Sequence, residues 1–262
     1  MIRRELNIFL HALMFFTRLP CAGLVAYSQA DLDKSSRYFP LVGWLVGAAG
    51  AIVLWLGKLF LPLPLTILLS MIATIWLTGA FHEDGWIDVC DGFGGGWTKE
   101  RILEIMKDSR IGAFGAIGMV LLFALKLLSL ISLPVALLPG VLIAGHSLSR
   151  FASGSLLFTH EYVRADALSK AKPLARQITP QELLLAGCFG VTPLLLLYFG
   201  GVSFWGLAGC LGTVGIARWY LARYFTRWIG GYTGDCLGAV QQVTEVIFYF
   251  TLVVFCQDLI DG

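Results

Sequence analysis

Charge is scarce in this 262-residue sequence. Asp, Glu, Lys and Arg together make up 14% of it, against about 25% in ordinary soluble domains. Hydrophobic residues supply 57% and the mean hydropathy is +0.78, more apolar surface than one water-soluble core of this size can hide. The same figures exclude a disordered chain, which would be poor in hydrophobes and rich in net charge. A formal net charge of +2 provides no broad basic footprint, so nucleic acid is not an expected partner. The six cysteines (Cys21, Cys90, Cys188, Cys210, Cys236 and Cys256) include no C-x-x-C pair, which argues against a zinc site and a disulfide framework. They read as small buried hydrophobes. No long linker, low-complexity tract or fixed-period repeat occurs, and one domain over residues 1–262 is the economical reading. What remains is an all-α, polytopic integral membrane bundle.

A membrane span needs about 20 mostly apolar residues. Seven stretches qualify, at about 38–60, 63–82, 112–131, 135–157, 183–200, 203–222 and 238–259. Pro62 and Pro64 make the first connection a tight turn, because proline cannot continue a helix interior. The opening MIRRELNIFLHALMFFTRLP holds His11 and ends in Arg18-Leu19-Pro20 without a small-x-small cleavage site. It reads as a retained amphipathic helix in the membrane interface.

Charge asymmetry supports this topology. Arg3, Arg4, Arg18, Lys34, Arg37, Lys99, Arg101, Lys107, Arg110, Arg164, Lys170, Lys172, Arg176, Arg223 and Arg227 fall on one side of seven spans, and only Lys58 sits near the other. The positive-inside rule makes that basic side cytoplasmic. Glycines recur as Gly43-x-x-x-Gly47 and Gly112-x-x-Gly115-x-x-Gly118, spacings that let membrane helices pack closely.

The chemistry concentrates in three segments. The first is HEDGWIDVCDGFGGG, residues 82–96, directly after the second span. Asp84, Asp88 and Asp91 follow an i, i+4, i+7 spacing, which a helix would bring onto one face. Three such carboxylates repel one another unless a cation sits among them, and their hard oxygens suit Mg²⁺ shared with substrate phosphates. Gly85 and Gly92 each follow an aspartate and offer backbone N–H groups that a phosphate can approach. His82 is a candidate base for an acceptor hydroxyl, or equally a marker of the interface that hydrogen-bonds the carboxylates.

The second segment, WTKERILEIMKDSRIGAFG (97–115), reads as an amphipathic helix with Thr98 as a partial N-cap. Its end places Lys107, Asp108 and Arg110 at the mouth of the next span, where the cations suit diphosphate oxygens or lipid headgroups. The third, GGYTGDCLGAVQQVTE (230–245), puts Asp235 at the start of the last span and Gln242 and Glu245 inside it. An ionisable group at that depth marks a functional site or a buried network. Arg150 belongs to the same class, as with less force do Lys126, His146 and Arg218. The plain alternative is a structural Glu245–Arg150 ion pair.

These motifs resemble those of the adenosylcobinamide-GDP ribazoletransferase (cobalamin-5′-phosphate synthase) family. The likeness rests on His82-x-Asp84-Gly85-x-x-Asp88-x-x-Asp91-Gly92, then Met106-Lys107-Asp108-Ser109-Arg110-Ile111-Gly112-x-Phe114-Gly115, then Gly230-Gly231-x-Thr233-Gly234-Asp235-x-Leu237-Gly238-Ala239. The opening F-x-T-R-L-P (Phe15 to Pro20) and Tyr38 to Gly43 extend it along most of the chain. Glu83 and Trp86 depart from the pattern, since family members more often carry apolar residues such as leucine there; no carboxylate of the motif is lost.

The resemblance implies an Mg²⁺-dependent enzyme of the cytoplasmic (inner) membrane, with its active site on the cytoplasmic face. It would join adenosylcobinamide-GDP to α-ribazole or α-ribazole 5′-phosphate and release GMP, late in vitamin B12 nucleotide-loop assembly. Asp84, Asp88 and Asp91 are then the expected metal ligands. Lys107, Arg110 and Arg101 would stabilise the leaving GMP, and Asp108, Asp235 or His82 would accept the hydroxyl proton. The lipid bilayer is an implied partner, and homo-oligomers or complexes with other corrinoid-assembly enzymes are compatible with it. The nearest enzyme alternative is a CDP-alcohol phosphotransferase, whose D-G-x-x-A-R pattern fails here because Asp88 stands in place of the alanine and no arginine follows. A transporter, the different-class alternative, would call for two matched halves with charges at midplane, and no duplicated half is present.

Overall fold

The computed structural model describes residues 2–163 and 178–256. Its α-helices are α1 (Ile2–Phe16), α2 (Gln29–Lys34), α3 (Phe39–Gly57), α4 (Leu63–Thr78), α5 (Phe81–Gly95), α6 (Lys99–Ile105), α7 (Ala113–Ile131), α8 (Leu138–Gly154), α9 (Leu156–Thr159), α10 (Pro180–Val191), α11 (Leu194–Phe199), α12 (Phe204–Ile229) and α13 (Gly234–Phe255). Among the described residues there is no strand, only an isolated bridge between Tyr162 and Tyr232. Pro40, Pro64, Pro139 and Pro180 each stand in the first turn of their helix, where a missing N–H costs nothing and the fixed φ is already helical.

The expected spans correspond to α3, α4, α7, α8, the pair α10–α11, α12 and α13, but fewer helices meet the demands of a bilayer crossing. Among the described residues four helical runs are long and apolar enough: Gln29–Gly57, Ala113–Ile131, Pro180–Phe199 and Gly234–Phe255. A fifth arises if Leu63–Thr78 and Phe81–Gly95 count as one broken span. The count of seven is therefore not reached on length and apolarity. Helix α8 has only 17 residues and carries His146 and Arg150, and α12 carries Arg218, Arg223 and Arg227. The protein is a multi-pass membrane bundle, with Trp55, Trp76, Val120, Phe199 and Ile216 among the apolar side chains on its exterior.

Among the described residues three hydrophobic cores organise the interior; one gathers Ile8, Leu13 and Phe16 of α1 with Phe39, Val42 and Val46 of α3, and the other two carry the bundle. One joins α3, α4, α7, α8, α11, α12 and α13 through residues such as Leu54, Met71, Leu130, Leu142, Leu197, Val214 and Phe248. The α3–α8 contact is backbone to backbone. A Cβ added at Gly43 would lie 2.5 Å from the His146 carbonyl oxygen, and one at Gly47 2.6 Å from the Ile143 Cα. The second core gathers Val89 of α5, Ile102 and Met106 around α6, Phe225 and Ile229 of α12, and Cys236 and Val240 of α13. This core fastens together the three chemistry-bearing segments.

The sharpest feature is the corner between α4 and α5. Gly79 (φ 70°) ends α4 in the left-handed region, Ala80 (φ 59°) follows it there, and α5 departs at 90°. Residues 82–95, the acidic segment that follows the second expected span, thus form a helix folded back across the bundle. Helix α1 buries Ile8, His11, Leu13 and Phe16 against the bundle, as expected of an amphipathic opening. The cysteines divide: Cys21, Cys210, Cys236 and Cys256 are buried, Cys90 is half-buried and Cys188 exposed, and all are free thiols. Of the basic residues counted for topology, Arg164, Lys170, Lys172 and Arg176 lie outside the described residues.

Candidate active site

The three segments singled out by composition converge. Helix α5 crosses the start of α13 at two glycines. A Cβ on Gly85 would lie 2.9 Å from both the Cα and the carbonyl oxygen of Asp235, and one on Gly238 would lie 2.9 Å from the His82 carbonyl oxygen. Only bare backbone permits this approach, so Asp235 is held against the Asp84–Asp88 stretch of α5. Thr233 caps α13 by accepting the Cys236 N–H at 3.3 Å, and Asp235 occupies the first turn, where the helix dipole favours a carboxylate. The preceding loop is tied down by Tyr232 N–H to Glu161 O and Val163 N–H to Tyr232 O, both 3.0 Å.

The aspartates of α5 do not share one environment. Asp84 is exposed, Asp88 half-buried and Asp91 buried. Asp91 accepts the backbone N–H of Gly112 at 2.7 Å and that of Gly115 at 2.8 Å, one on each carboxylate oxygen. It therefore caps α7, with a protein donor already on each of its two oxygens. Among the described residues no three His, Cys, Asp or Glu side chains converge closely enough to hold an ion by themselves. Asp84 and Asp88, one turn apart on α5, retain the donor chemistry that suits a hard cation completed by substrate oxygens. Gly85 and Gly92 are interior helix positions. Gly92 packs against the Met106 side chain, and a Cβ there would meet its Cγ at 2.5 Å. Both serve helix packing, not the open phosphate cradle expected of them.

The turn after α6 presents cations to solvent. Thr98 Oγ1 caps α6 by accepting the Arg101 N–H at 3.3 Å, and Arg101 pairs with Glu104 at 2.7 Å on the exposed face. Lys107 and Arg110 are exposed. Asp108 receives Nε and Nη2 of Arg110 at 3.0 and 2.6 Å, and this guanidinium pulls its pKa down to about 2. Asp108 thus holds the Arg110 guanidinium in one orientation. His82 is misplaced for the base. It is 2% exposed, its ring stacked on Phe39 with centroids 5.5 Å apart, so it does not open to a substrate approaching the exposed face of α5.

Beneath the site lies a polar network deep in the bundle. Glu245, fully buried, pairs with Lys126 at 2.5 Å and approaches His146 Nδ1 at 3.3 Å. It also accepts from Gln241 Nε2 at 2.5 Å and Tyr249 OH at 3.0 Å. The Glu245–Arg150 pair suggested by the sequence does not form. Arg150 instead donates to the His146 carbonyl at 2.9 Å and packs its guanidinium over the Phe39 ring. Gln242 Nε2 donates to Glu83 Oε1 at 2.9 Å and to Gln241 Oε1 at 2.9 Å. Arg218 is held by Ser155, its Nε donating to Oγ at 3.0 Å.

With that arrangement established, comparison with known proteins decides the relationship. The family model described as cobalamin-5-phosphate synthase matches residues 8–253. The chain belongs to the cobalamin-5-phosphate synthase family. A protein of Shewanella amazonensis named adenosylcobinamide-GDP ribazoletransferase is 48% identical over 254 residues, covering 95% of this chain and 96% of that one. Proteins of the same name from Ralstonia pickettii (49% over 246 residues; 92% and 93% covered) and Leptospira interrogans (42% over 260 residues; 97% of each covered) are also similar. Like these relatives, the chain is a transferase. No solved structure matches it.

Two contributors escaped the sequence reading, and a third was given less weight than its place in the structure warrants. Arg18 donates its backbone N–H to Leu77 O at 2.8 Å and lays its guanidinium over Gly79, bracing the corner from which α5 leaves; its place in the F-x-T-R-L-P motif was the available signal. A Cβ on Gly230 would lie 3.4 Å from Lys99 Nζ, so this lysine reaches the turn before α13. Lys126, noted only with less force than Glu245 and Arg150, is Glu245's ion-pair partner.

Proposed function

We propose that this member of the cobalamin-5-phosphate synthase family transfers the corrinoid-phosphate group of adenosylcobinamide-GDP to a hydroxyl of α-ribazole or its 5′-phosphate, releasing GMP. The observation that supports the reading is the close backbone approach of Gly85, which follows Asp84 on α5, to Asp235 at the α5–α13 crossing, with Met106 beside the cationic 107–110 turn in the same core. Transfer from a diphosphate demands positioning and charge neutralisation far more than covalent chemistry. The acceptor oxygen bonds to the phosphorus on the corrinoid side, the bridging P–O bond breaks, and GMP leaves with the electron pair.

Asp84 and Asp88 would hold Mg²⁺, the ion supplying neutralisation of the diphosphate oxygens when bound. Lys107 and Arg110 bind the non-bridging oxygens of the departing nucleotide, with Arg101 flanking them; a guanidinium fork matches phosphate geometry. Asp108 keeps Arg110 pointed. With Asp108 committed to that pair and His82 sealed in the interior, Asp235 is the group left to accept the hydroxyl proton. Asp91 and the glycines at 85, 92 and 238 position the helices that carry these groups. The reaction takes place at the cytoplasmic face of the inner membrane, the side on which the described basic loops gather.

The test is direct. Purified protein in liposomes is incubated with adenosylcobinamide-GDP, α-ribazole 5′-phosphate and Mg²⁺, and products are followed by mass. GMP and the joined corrinoid, both abolished by EDTA, are the expected result. Turnover of CDP-alcohol substrates with no corrinoid product would refute the assignment.

A further inference from the structure

Helices α5 and α13 meet with almost no side chain between their backbones, at Gly85 against Asp235 and Gly238 against His82. Close approach is gained, but at these two points no side-chain knob enters a hole, so directional contacts elsewhere along the interface carry more of the register. A polar link bridges the crossing deeper in the bundle, the 2.9 Å hydrogen bond from Gln242 Nε2 to Glu83 Oε1. Both residues are buried. Glu83 precedes Asp84 directly in the chain, and Gln242 lies seven residues, about two helical turns, beyond Asp235 on α13.

The link does not end there. Gln242 also donates to Gln241, whose Nε2 reaches Ser149 of α8 at 3.0 Å and Glu245 at 2.5 Å, and Glu245 is held by Lys126 of α7. Glu83 is thereby referenced to three other helices. Stability alone accounts poorly for this arrangement. Buried ionic networks are often replaceable by apolar side chains without loss, and this one leaves Glu83 Oε2, Gln242 Oε1, His82 Nε2, His146 Nε2 and Arg150 Nε without a protein hydrogen-bond partner. What a directional hydrogen bond provides, and an apolar contact does not, is one defined register.

We propose that Glu83 and Gln242 form a positioning pair, whose hydrogen bond sets the rotation of α5 against α13 and so places Asp84 and Asp88 relative to Asp235. This rests on the functional reading of those three carboxylates given above. The test uses the full chain in liposomes and four variants: Glu83→Gln, Glu83→Leu, Gln242→Leu and the double Leu variant. Each is characterised by kcat, KM for both substrates, thermal midpoint and amide hydrogen exchange across residues 82–95.

Glu83→Gln keeps an acceptor for Gln242 and retains most of the wild-type kcat. Glu83 stands where family members more often carry apolar residues such as leucine, so the pair belongs to this chain's own packing. Here Glu83→Leu and Gln242→Leu each lower kcat roughly tenfold or more, the scale of loss that small misplacements of catalytic groups produce. KM stays close to wild type, and exchange rises along α5. The double variant is no worse than either single, because the two residues act as one unit. Full kcat in both Leu variants overturns the proposal, as does equal loss in Glu83→Gln and Glu83→Leu, or a kcat loss that merely tracks the thermal midpoint. Gln242→Leu keeps the test decisive if Glu83→Leu does not fold. Unchanged exchange along α5 in the Leu variants refutes the positioning role whatever the activity. Full activity in Asp84→Asn and Asp88→Asn refutes the functional reading separately.

Discussion

The Asp91 carboxylate of α5 accepts the backbone N–H of Gly115 at 2.8 Å. Its other oxygen takes the Gly112 N–H at 2.7 Å, so one acid satisfies two donors in the opening turn of α7. A helix N-terminus leaves such donors without intrahelical partners, and leaving the buried Gly115 donor unpaired costs about 1–3 kcal/mol. Asp91→Ala is therefore expected to lower unfolding stability by about that amount and to lose activity at every Mg²⁺ concentration. Asp84→Asn, at an exposed position, is expected to leave stability within about 0.5 kcal/mol while losing activity. Unfolding curves of the two variants side by side check this.

Asp108 and Arg110 yield a pH prediction. Their contact lowers the Asp108 pKa from its ordinary 3.8 to about 2. A depressed carboxylate contributes stability that is present above its unfolded pKa and lost as pH falls through the folded one. The pair is thus intact throughout the neutral range and dissolves only near pH 2. Asp108→Asn is expected to leave the acid limb of the pH–rate profile where it was, whereas Arg110→Ala raises KM for the diphosphate substrate by about tenfold. A shift of that limb in Asp108→Asn would restore Asp108 as the base.

Lys126 and Glu245 meet at 2.5 Å, almost wholly removed from solvent. Removing one charge strands the other, at a cost of about 3–5 kcal/mol, whereas replacing both with apolar side chains is close to neutral. Lys126→Met is expected to destabilise strongly, and Lys126→Met with Glu245→Leu to recover most of the loss. Equilibrium unfolding in lipid or mixed micelles measures both.

The corner at Gly79 and Ala80 invites the opposite pair of changes. Gly79→Ala adds a side chain at φ 70° and pushes it into the Arg18 guanidinium; a loss above about 1 kcal/mol is expected. Ala80→Gly relieves a left-handed alanine at φ 59° and is expected to be neutral or slightly stabilising, with thermal midpoints as the check.

Composition and charge asymmetry made the helical membrane class and the three chemical segments legible, because hydrophobicity and acid spacing are local. Three things were not. The 90° corner depends on two residues with positive φ, one of them an alanine that no turn rule would nominate. The unequal fates of Asp84, Asp88 and Asp91 follow from where α7 begins, 21 residues beyond Asp91. Glu245 and Lys126 were each readable as charges inside spans, but their pairing was not, because they lie on different helices 119 positions apart. Pairing across such separations is set by helix rotation, which one sequence does not encode locally.

The central claim is that Asp84 and Asp88 bind the ion and the diphosphate while Asp91 braces the helix that carries them. The most direct measurement is GMP release by wild-type, Asp84→Asn, Asp88→Asn and Asp91→Asn protein in liposomes across a Mg²⁺ titration. The account predicts that wild type and Asp91→Asn reach half-saturation at similar Mg²⁺, with Asp91→Asn reduced in maximal rate alone, while Asp84→Asn and Asp88→Asn shift to much higher Mg²⁺ or show no activity. Asp91→Asn shifting as far as the other two, or Asp84→Asn and Asp88→Asn matching wild type, would contradict it.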